Sequence, residues 1–315
     1  MYPIGAAVVA LALLLDRILG EPARFHPLVG FGCCVAWVEK RFNRTGHTAF
    51  RARIAGVLAV ILLVAPCCGL VYLTALWLAE TPVLSALFSL AVLYLVIGGR
   101  SLEQHGQAVL QCLMQQDLLG ARQKVGYIVS RETEHLDEQG VAKATIESIL
   151  ENGSDALFAP LFWFLLAGPT GAVGYRLVNT LDAMWGYRNE RYRYYGWGAA
   201  RLDDLLNWIP ARCCALSYAL LGNTRQGLAC WWSQARHCES PNAGPVMASG
   251  AGALNLALGG PAFYHGQHHD RPLLGRGSEP VSTDINRAMQ LVRRVSWMWL
   301  LLVLLAESFR YWSVL

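Results

Sequence analysis

Apolar residues fall in long runs separated by short polar segments. From Ile54 to Ala79 the chain carries 26 residues without a charge, enough helix to cross a hydrocarbon core about 30 Å thick. Glu80-Thr81-Pro82 turns into a second uncharged run, Val83 to Gly98, and the two predict a transmembrane hairpin. A third run, Ser296 to Ala306, has Trp297, Trp299 and Trp312 in or beside it, the aromatic belt of a membrane boundary. Pro3 to Leu15 has the apolar core of a signal peptide, but Asp16-Arg17 follows in place of a small-residue cleavage site. It predicts a retained first membrane segment. Two weaker runs, Ala156 to Gly168 and Trp208 to Leu221, contain proline and are short for a span, so they predict re-entrant or half-buried helices. Arg100 to Met114 and Val141 to Glu151 also predict helices, the second ended by Asn152-Gly153. Extended period-2 alternation is absent. The pattern predicts an all-α, polytopic integral membrane protein with re-entrant or short helices around a site at the cytoplasmic face.

Basic residues orient this arrangement. Arg17, Arg24, Lys40, Arg41, Arg44, Arg51 and Arg53 lie between Asp16 and Arg53, whereas the turn at Glu80 has none. By the positive-inside rule the first segment is cytoplasmic and the turn external. Arg100 to Asp155 then returns inside, and the arginines from Arg188 to Arg212 stay inside if Ala156 to Gly168 is re-entrant. The expected localisation is the cell inner membrane, multi-pass. No linker or repeat divides the chain, so one integrated unit is expected over 1–315: membrane segments over 1–98, an active-site region over 99–294, and a last membrane segment over 295–315.

Composition agrees with a membrane location: 54% of residues are hydrophobic and 15% charged, against about 25% charged in soluble domains. The net charge of +4 is small for 315 residues, which argues against nucleic acid as a partner. Arginine supplies 23 of the 26 basic residues. That bias suits bidentate contact with phosphate or carboxylate, and it also follows from GC-rich codon usage. The 9 cysteines include the adjacent pairs Cys33-Cys34, Cys67-Cys68 and Cys213-Cys214 but no C-x-x-C, and they read as free thiols.

The candidate chemistry lies between Arg131 and Arg212, because ionisable groups beside membrane segments are costly to hold and are functional candidates by default. Glu147, Glu151 and Asp155 are spaced i, i+4, i+8 and would share one helical face, where their mutual repulsion invites a cation or a basic substrate; a solvated face is the plain alternative. Asp203 and Asn207 at i, i+4 offer oxygens to Mg²⁺, which keeps water and phosphate ligands and needs few carboxylates. Arg201 and Asp204 at i, i+3 suit a simple ion pair. Asp182, after Asn179-Thr180-Leu181, is either an N-cap or a ligand. Tyr187 to Tyr195 mixes Arg188, Arg191 and Arg193 with tyrosines, which suits a phosphate clamp and also an interfacial belt with snorkelling arginines. His26, flanked by Pro22 and Pro27, sits in a rigid loop. Asn242, in Ser240-Pro241-Asn242-Ala243-Gly244, either meets a ligand or closes a turn. The sequence has no G-x-x-x-x-G-K-[ST], so an ATP site here is not a Walker loop; H-E-x-x-H and G-x-S-x-G are also absent.

These segments, in this order, resemble adenosylcobinamide-phosphate synthase, the CbiB-type membrane enzyme family of cobalamin assembly. The resemblance covers nearly the whole chain: Glu21-Pro22 to His26-Pro27, Arg131 to Leu136, Ala144 to Asp155, Ala159-Pro160-Leu161-Phe162, Asn179 to Asp182, Gly186 to Tyr192, Ala200 to Asp204, Pro210-Ala211-Arg212, Ser240 to Gly244 and Gly250 to Leu254. One position departs: Ser130-Arg131-Glu132-Thr133 stands where the family usually has Gly-Arg-Asp-Thr. The resemblance implies ATP- and Mg²⁺-dependent amide formation between the corrinoid adenosylcobyric acid and an aminoalkyl phosphate, usually aminopropanol phosphate, by way of an acyl phosphate. It implies metal or catalytic carboxylates at Asp155, Asp182, Asp203 and Asp204. Glu147 and Glu151 would position the amine or take its proton, with His26 a further candidate for that proton. Arg131, Arg188, Arg191, Arg201 and Arg212 would bind phosphates, and Asn152, Asn179, Asn189, Tyr192, Asn207 and Asn242 would complete the substrate-binding set. Expected partners are these substrates and the lipid bilayer, with self-association and contact with other cobalamin-assembly enzymes beside them. Two readings of other classes compete. A transporter or channel predicts mid-membrane charges and an inverted repeat; a non-catalytic sensor relative predicts loss of the carboxylate and arginine motifs.

Overall fold

A computed structural model describes residues 5–22, 26–44, 46, 48–264 and 267–314. Pro3 and Arg24 lie outside them, as do the side chains of 263–269 and 310–315, Trp312 among these. In chain order the described helices are α1 Gly5–Leu19, α2 Pro27–Phe42, α3 Ala49–Trp77, α4 Pro82–Val96, α5 Gly99–Met114, α6 Leu118–Gly126, α7 Glu138–Gly153, α8 Ala159–Trp185, α9 Trp197–Leu206, α10 Trp208–Leu221, α11 Thr224–Gln234, α12 Ala243–Leu254 and α13 Asp284–Val314. Strands are minimal: β1 Leu258–Gly259 pairs antiparallel with β4 Leu273–Leu274, and β2 Ala262–Tyr264 with β3 Gln267–His269. The all-α expectation holds. Four helical runs are long and apolar enough to cross a membrane: Ala49–Trp77, Pro82–Met114, Glu138–Trp185 and Asp284–Phe309.

Local chemistry sets the helix starts. Pro27 opens α2, where a missing N–H costs nothing, and His26 Nδ1 accepts the Leu28 N–H at 3.2 Å. Asp117, Asp137 and Asn223 cap α6, α7 and α11 with side-chain oxygens on the N–H groups of Gly120, Gly140 and Gln226.

The helices form two units interleaved along the chain. The first comprises Met1–Gly98, Ala159–Asn207 and Val303–Leu315; the second comprises Gly99–Phe158 and Trp208–Leu302. In the first unit, α8 packs against both α3 and α4, and α1 packs on α4. The expected hairpin of α3 and α4 is present in sequence order, yet its members touch each other little, because α8 takes the face of each. A core of Phe31, Val35 and Val38 (α2), Ala59, Val60 and Leu63 (α3), and Leu177, Leu181 and Trp185 (α8) extends to Tyr195 and Ala199. The opposite side of α3 exposes Leu58, Ile61, Leu62, Leu70, Leu73, Leu76 and Trp77, a surface that lipid solvates and water does not.

The predicted helix stop at Asn152-Gly153 does not occur. Gly153 is buried in the second unit, where a Cβ would lie 2.7 Å from both Tyr218 OH and a Val292 methyl. The residue is therefore a close-packing glycine, and the helix passes through it. It widens to a π turn over Ser154–Phe158 and continues as α8. The apolar run Ala156 to Gly168 is thus no separate short helix; it lies within a 48-residue helical run from Glu138 to Trp185. The run bends at Ala167 and Gly168, where Gly168 takes φ +65° before Pro169. Glycine tolerates that dihedral, and the proline denies the helix a donor. α10, with 14 residues, is as short as expected.

The second unit packs α12 on α10 and α11 through small residues. A Cβ on Gly227 would meet Ala219 at 3.0 Å, and one on Gly252 would meet the Gln226 carbonyl at 2.6 Å. Trp299, expected in an aromatic belt, instead stacks edge-on against Phe158 at 4.8 Å and donates its indole N–H to Ser217.

In the first unit, a Cβ at Gly56 would fall 1.9 Å from the Tyr195 carbonyl oxygen, whereas Gly69 on the same helix has open space. Gly56→Ala should therefore lower stability by about 1–3 kcal/mol or more, as overpacking does. Gly69→Ala should be neutral or mildly stabilising, and thermal melts of the two variants in detergent check this pair.

Candidate functional site

In the first unit, the polar residues of α8 and α9 converge on Asp203. Its Oδ1 accepts from Asn179 Nδ2 at 3.2 Å and its Oδ2 from Asn207 Nδ2 at 3.0 Å. Asn207 Oδ1 in turn accepts the Tyr175 hydroxyl at 2.9 Å, and Asn179 Oδ1 accepts from Arg176 at 3.4 Å. The amides are thereby oriented with their NH₂ groups toward the carboxylate. Asp203 is buried, and burial pushes its carboxyl above the ordinary range; the charge of Asp204 adds to this, and the two amide hydrogen bonds oppose it. Asp204 is also raised, by burial first, against the lowering pull of Arg201 and Arg188. Arg201 pairs with Asp204 at 2.9 Å, as its spacing predicts. Asp182 is no N-cap: it lies inside α8, and its carbonyl accepts the Gly186 N–H.

Other sequence candidates in this unit have local partners. Arg191 grips Glu39 with two bonds, Nε to Oε1 at 3.0 Å and Nη2 to Oε2 at 2.8 Å, and Asn43 also donates to Glu39. Asn189 Oδ1 accepts the Tyr192 N–H at 3.0 Å, closing the turn before α9. Tyr192 lies beside the Arg191 guanidinium, 5.4 Å from ring centre to carbon. His26 is committed through Nδ1 to its cap.

The second unit holds a different cluster. Glu147 on α7 is 2% exposed and accepts from three donors: Arg131, Arg271 Nη2 at 2.9 Å, and the Gly259 N–H at 2.7 Å. Glu151, one turn on, lies in the field of the same two arginines. Asp155 does not continue their face, because the π turn shifts the register; its charge lies near Tyr218 and Cys214 instead. Asn152 donates back to Ser148. Arg212 binds Asn242 Oδ1 at 3.0 Å and the carbonyls of Trp208 and Pro241, and lies 4.5 Å from the Trp208 ring centre. Asn242 thus anchors Arg212, while the Ser240 hydroxyl closes the turn onto the N–H groups of Asn242 and Ala243.

Among the described residues no three His, Cys, Asp or Glu side chains come together as a metal cage. Asp203 with Asp204 suits Mg²⁺ better than a caged ion, since Mg²⁺ binds through one or two carboxylates plus phosphates and water. Sequence reasoning missed Tyr175, Arg176, Arg271 and Gly259. Arg271 carried no signal, since 124 residues separate it from Glu147; Tyr175 and Arg176 stand one helical turn before Asn179.

These features define an all-α membrane protein with side-chain carboxylates, amides and arginines gathered at helix ends. The chain belongs to the CobD/CbiB family: the family model described as CobD/Cbib protein matches residues 9–292. It is 55% identical over 305 residues to the cobalamin biosynthesis protein CobD of Chromobacterium violaceum, covering 96% of each chain. It is 54% identical to the protein of the same name from Stutzerimonas stutzeri, covering 93% of this chain and 95% of that one. The Mycobacterium tuberculosis protein of that name is 37% identical over 92% of each chain. No solved structure matches the chain.

Two outcomes follow from the carboxylates. The fold holds the Asp203 proton more tightly than the unfolded chain does, so this contribution to stability is full below the unfolded value of about 3.8 and is lost as pH rises through the higher folded value. Asp203→Asn should therefore melt above the parent protein near neutral pH without Mg²⁺, with the difference shrinking on acidification toward about pH 4. Glu147→Gln should lower stability by about 3–5 kcal/mol, because it takes the buried counter-charge from the largely buried Arg131 guanidinium. Denaturant titration should show a much smaller effect for Glu151→Gln.

Proposed function

We propose that this protein forms the amide bond between adenosylcobyric acid and an aminoalkyl phosphate, with ATP hydrolysis, in cobalamin biosynthesis. The observation that carries this reading is Asp203, buried and oriented by two amides beside the Asp204–Arg201 pair. The family relationship and the names of the relatives agree with the pathway. A carboxylate is a poor electrophile until one oxygen becomes a leaving group, and Mg-ATP, when bound, supplies the phosphoryl group that does this.

The chain's own residues then have defined tasks. Asp203 and Asp204 offer oxygens to the metal, and Arg188 and Arg201 offset phosphate charge. The incoming amine must shed a proton as its nitrogen bonds to the acyl carbon and phosphate leaves. The departing phosphate, which leaves as a strong base, takes that proton. Arg191 and Arg212 support the loops that carry their neighbours. The Arg191–Glu39 pair ties the turn before α9 to the segment 16–53, whose basic residues favour a cytoplasmic face for this chemistry, where ATP is available.

Purified protein supplied with Mg-ATP, adenosylcobyric acid and aminopropanol phosphate should yield ADP and the amide in equal amounts. Asp204→Asn should reduce turnover by about 100-fold or more, as expected when several kcal/mol of charge stabilisation are lost, while still inserting into membranes. Near-normal turnover in that variant would remove Asp204 from the machinery, and absence of product with the parent protein would sink the reading.

A further inference from the structure

Arg176 differs from the other arginines that the fold uses. Arg191 ends on Glu39, Arg212 on two carbonyls and Asn242, and Arg287 on Asp284 and the Leu254 carbonyl. Arg176 meets no carboxylate among the described residues. Its side chain has one hydrogen bond there, Nη1 to Asn179 Oδ1 at the long distance of 3.4 Å. Its Nε is buried and donates to no described atom. An Nε–H withdrawn from water without a partner is expensive to keep, and this one lies in a helical run apolar enough to cross a membrane.

Asp203 has the complementary deficit. It accepts from two neutral amides and forms no ion pair among the described residues. Asn179 stands between the two, accepting from Arg176 and donating to Asp203, so that one amide holds guanidinium and carboxylate apart. A divalent cation carrying phosphate oxygens would fill both deficits at once: the cation on Asp203, the oxygens on the guanidinium of Arg176, whose planar fork suits two oxygens of one phosphate.

We propose that Arg176 is a phosphate-binding residue of the first unit, taking the phosphoryl oxygens of an anion whose Mg²⁺ rests on Asp203. This deepens the reading of that cluster given under Proposed function and rests on it. The phosphate is either the nucleotide's or the aminoalkyl phosphate's; both present the same oxygens.

The test is equilibrium binding to the full-length protein in detergent, with Mg-ATP and aminopropanol phosphate as separate probes, each with Mg²⁺ and with EDTA. Arg176→Met should weaken one probe by about 10–100-fold, the worth of a charge-assisted hydrogen-bonded contact, and only when Mg²⁺ is present. Loss with Mg-ATP assigns the nucleotide, and loss with aminopropanol phosphate assigns the amine substrate. Arg176→Lys should recover part of the loss, and Arg176→Met should melt no lower than the parent, since it removes a buried Nε–H that has no partner. In an Asp203→Asn background the Arg176→Met effect should largely vanish. Unchanged binding of both probes overturns the proposal. So does a lowered melting temperature with equal weakening of both probes regardless of Mg²⁺, which is the signature of a structural arginine. Amide formation by the parent protein is scored separately: if it fails while Mg²⁺-dependent phosphate binding still needs Arg176, the reaction is wrong and the binding residue stands.

Discussion

A carboxylate among apolar helices must be met by donors, and two buried carboxylates of this chain, Glu147 and Asp203, meet that demand in opposite ways. Glu147 is neutralised: two guanidiniums and a backbone N–H fall on its oxygens. Asp203 is oriented but not neutralised, because its donors are the uncharged amides of Asn179 and Asn207. The first arrangement pins segments far apart in sequence, joining α7 to Arg131 and to the loop carrying Gly259 and Arg271. It leaves little capacity for a ligand. The second leaves the carboxylate without a counter-charge among the described residues. The charge of the donors, not burial, therefore separates the two residues, although both are acidic, buried and on helices.

Close backbone approach is what places the reactive group. In the first unit a Cβ at Gly198 would lie 2.8 Å from a Val57 methyl, and the Gly56 position faces the Tyr195 carbonyl. Those two glycines let α9 lie directly on α3, and α9 carries Asp203 and Asp204. Trp185 and Tyr195, 5.0 Å apart and edge-on, fill the space beneath the turn between α8 and α9. The Glu39–Arg191 pair ties the same turn to α2. The site geometry is thus set by apolar packing and a peripheral ion pair.

Much of this was legible in the sequence, and the failures have physical causes. The long uncharged runs became α3, α4 and α13, because nothing but a membrane-crossing helix satisfies such a backbone. Asp203 with Asn207 and Arg201 with Asp204 paired as their spacing implied, since i, i+3 and i, i+4 neighbours share a helix face. Asn152-Gly153 misled because glycine signals both a helix end and a close contact, and only the neighbours Tyr218 and Val292 decide which. Arg191 looked like a phosphate clamp because Glu39 is 152 residues away, and no local pattern announces such a partner. Arg271 was invisible for the same reason. Tyr175 and Arg176 were passed over because they fall in an apolar stretch, where a polar residue shows its purpose only once its hydrogen bonds are known.

The surplus of arginine over lysine now has a structural account. In the proposed reaction no Walker loop is present to cradle phosphate with backbone N–H groups, and backbone inside these helices is already bonded, so side chains would take that part. The planar guanidinium reaches two oxygens at once and holds its geometry at modest entropic cost. That property serves architecture first: Arg191 spans both oxygens of Glu39, Arg212 bridges two carbonyls and an amide, and Arg287 ties Asp284 to a helix end. An ammonium has three donors but lacks the planar fork that matches both oxygens of a carboxylate. Arginine count alone therefore says little about phosphate binding in this chain. The discriminating observation is whether a guanidinium's edges are already spent on the protein's own oxygens, and by that criterion the structural arginines and Arg176 fall into different groups.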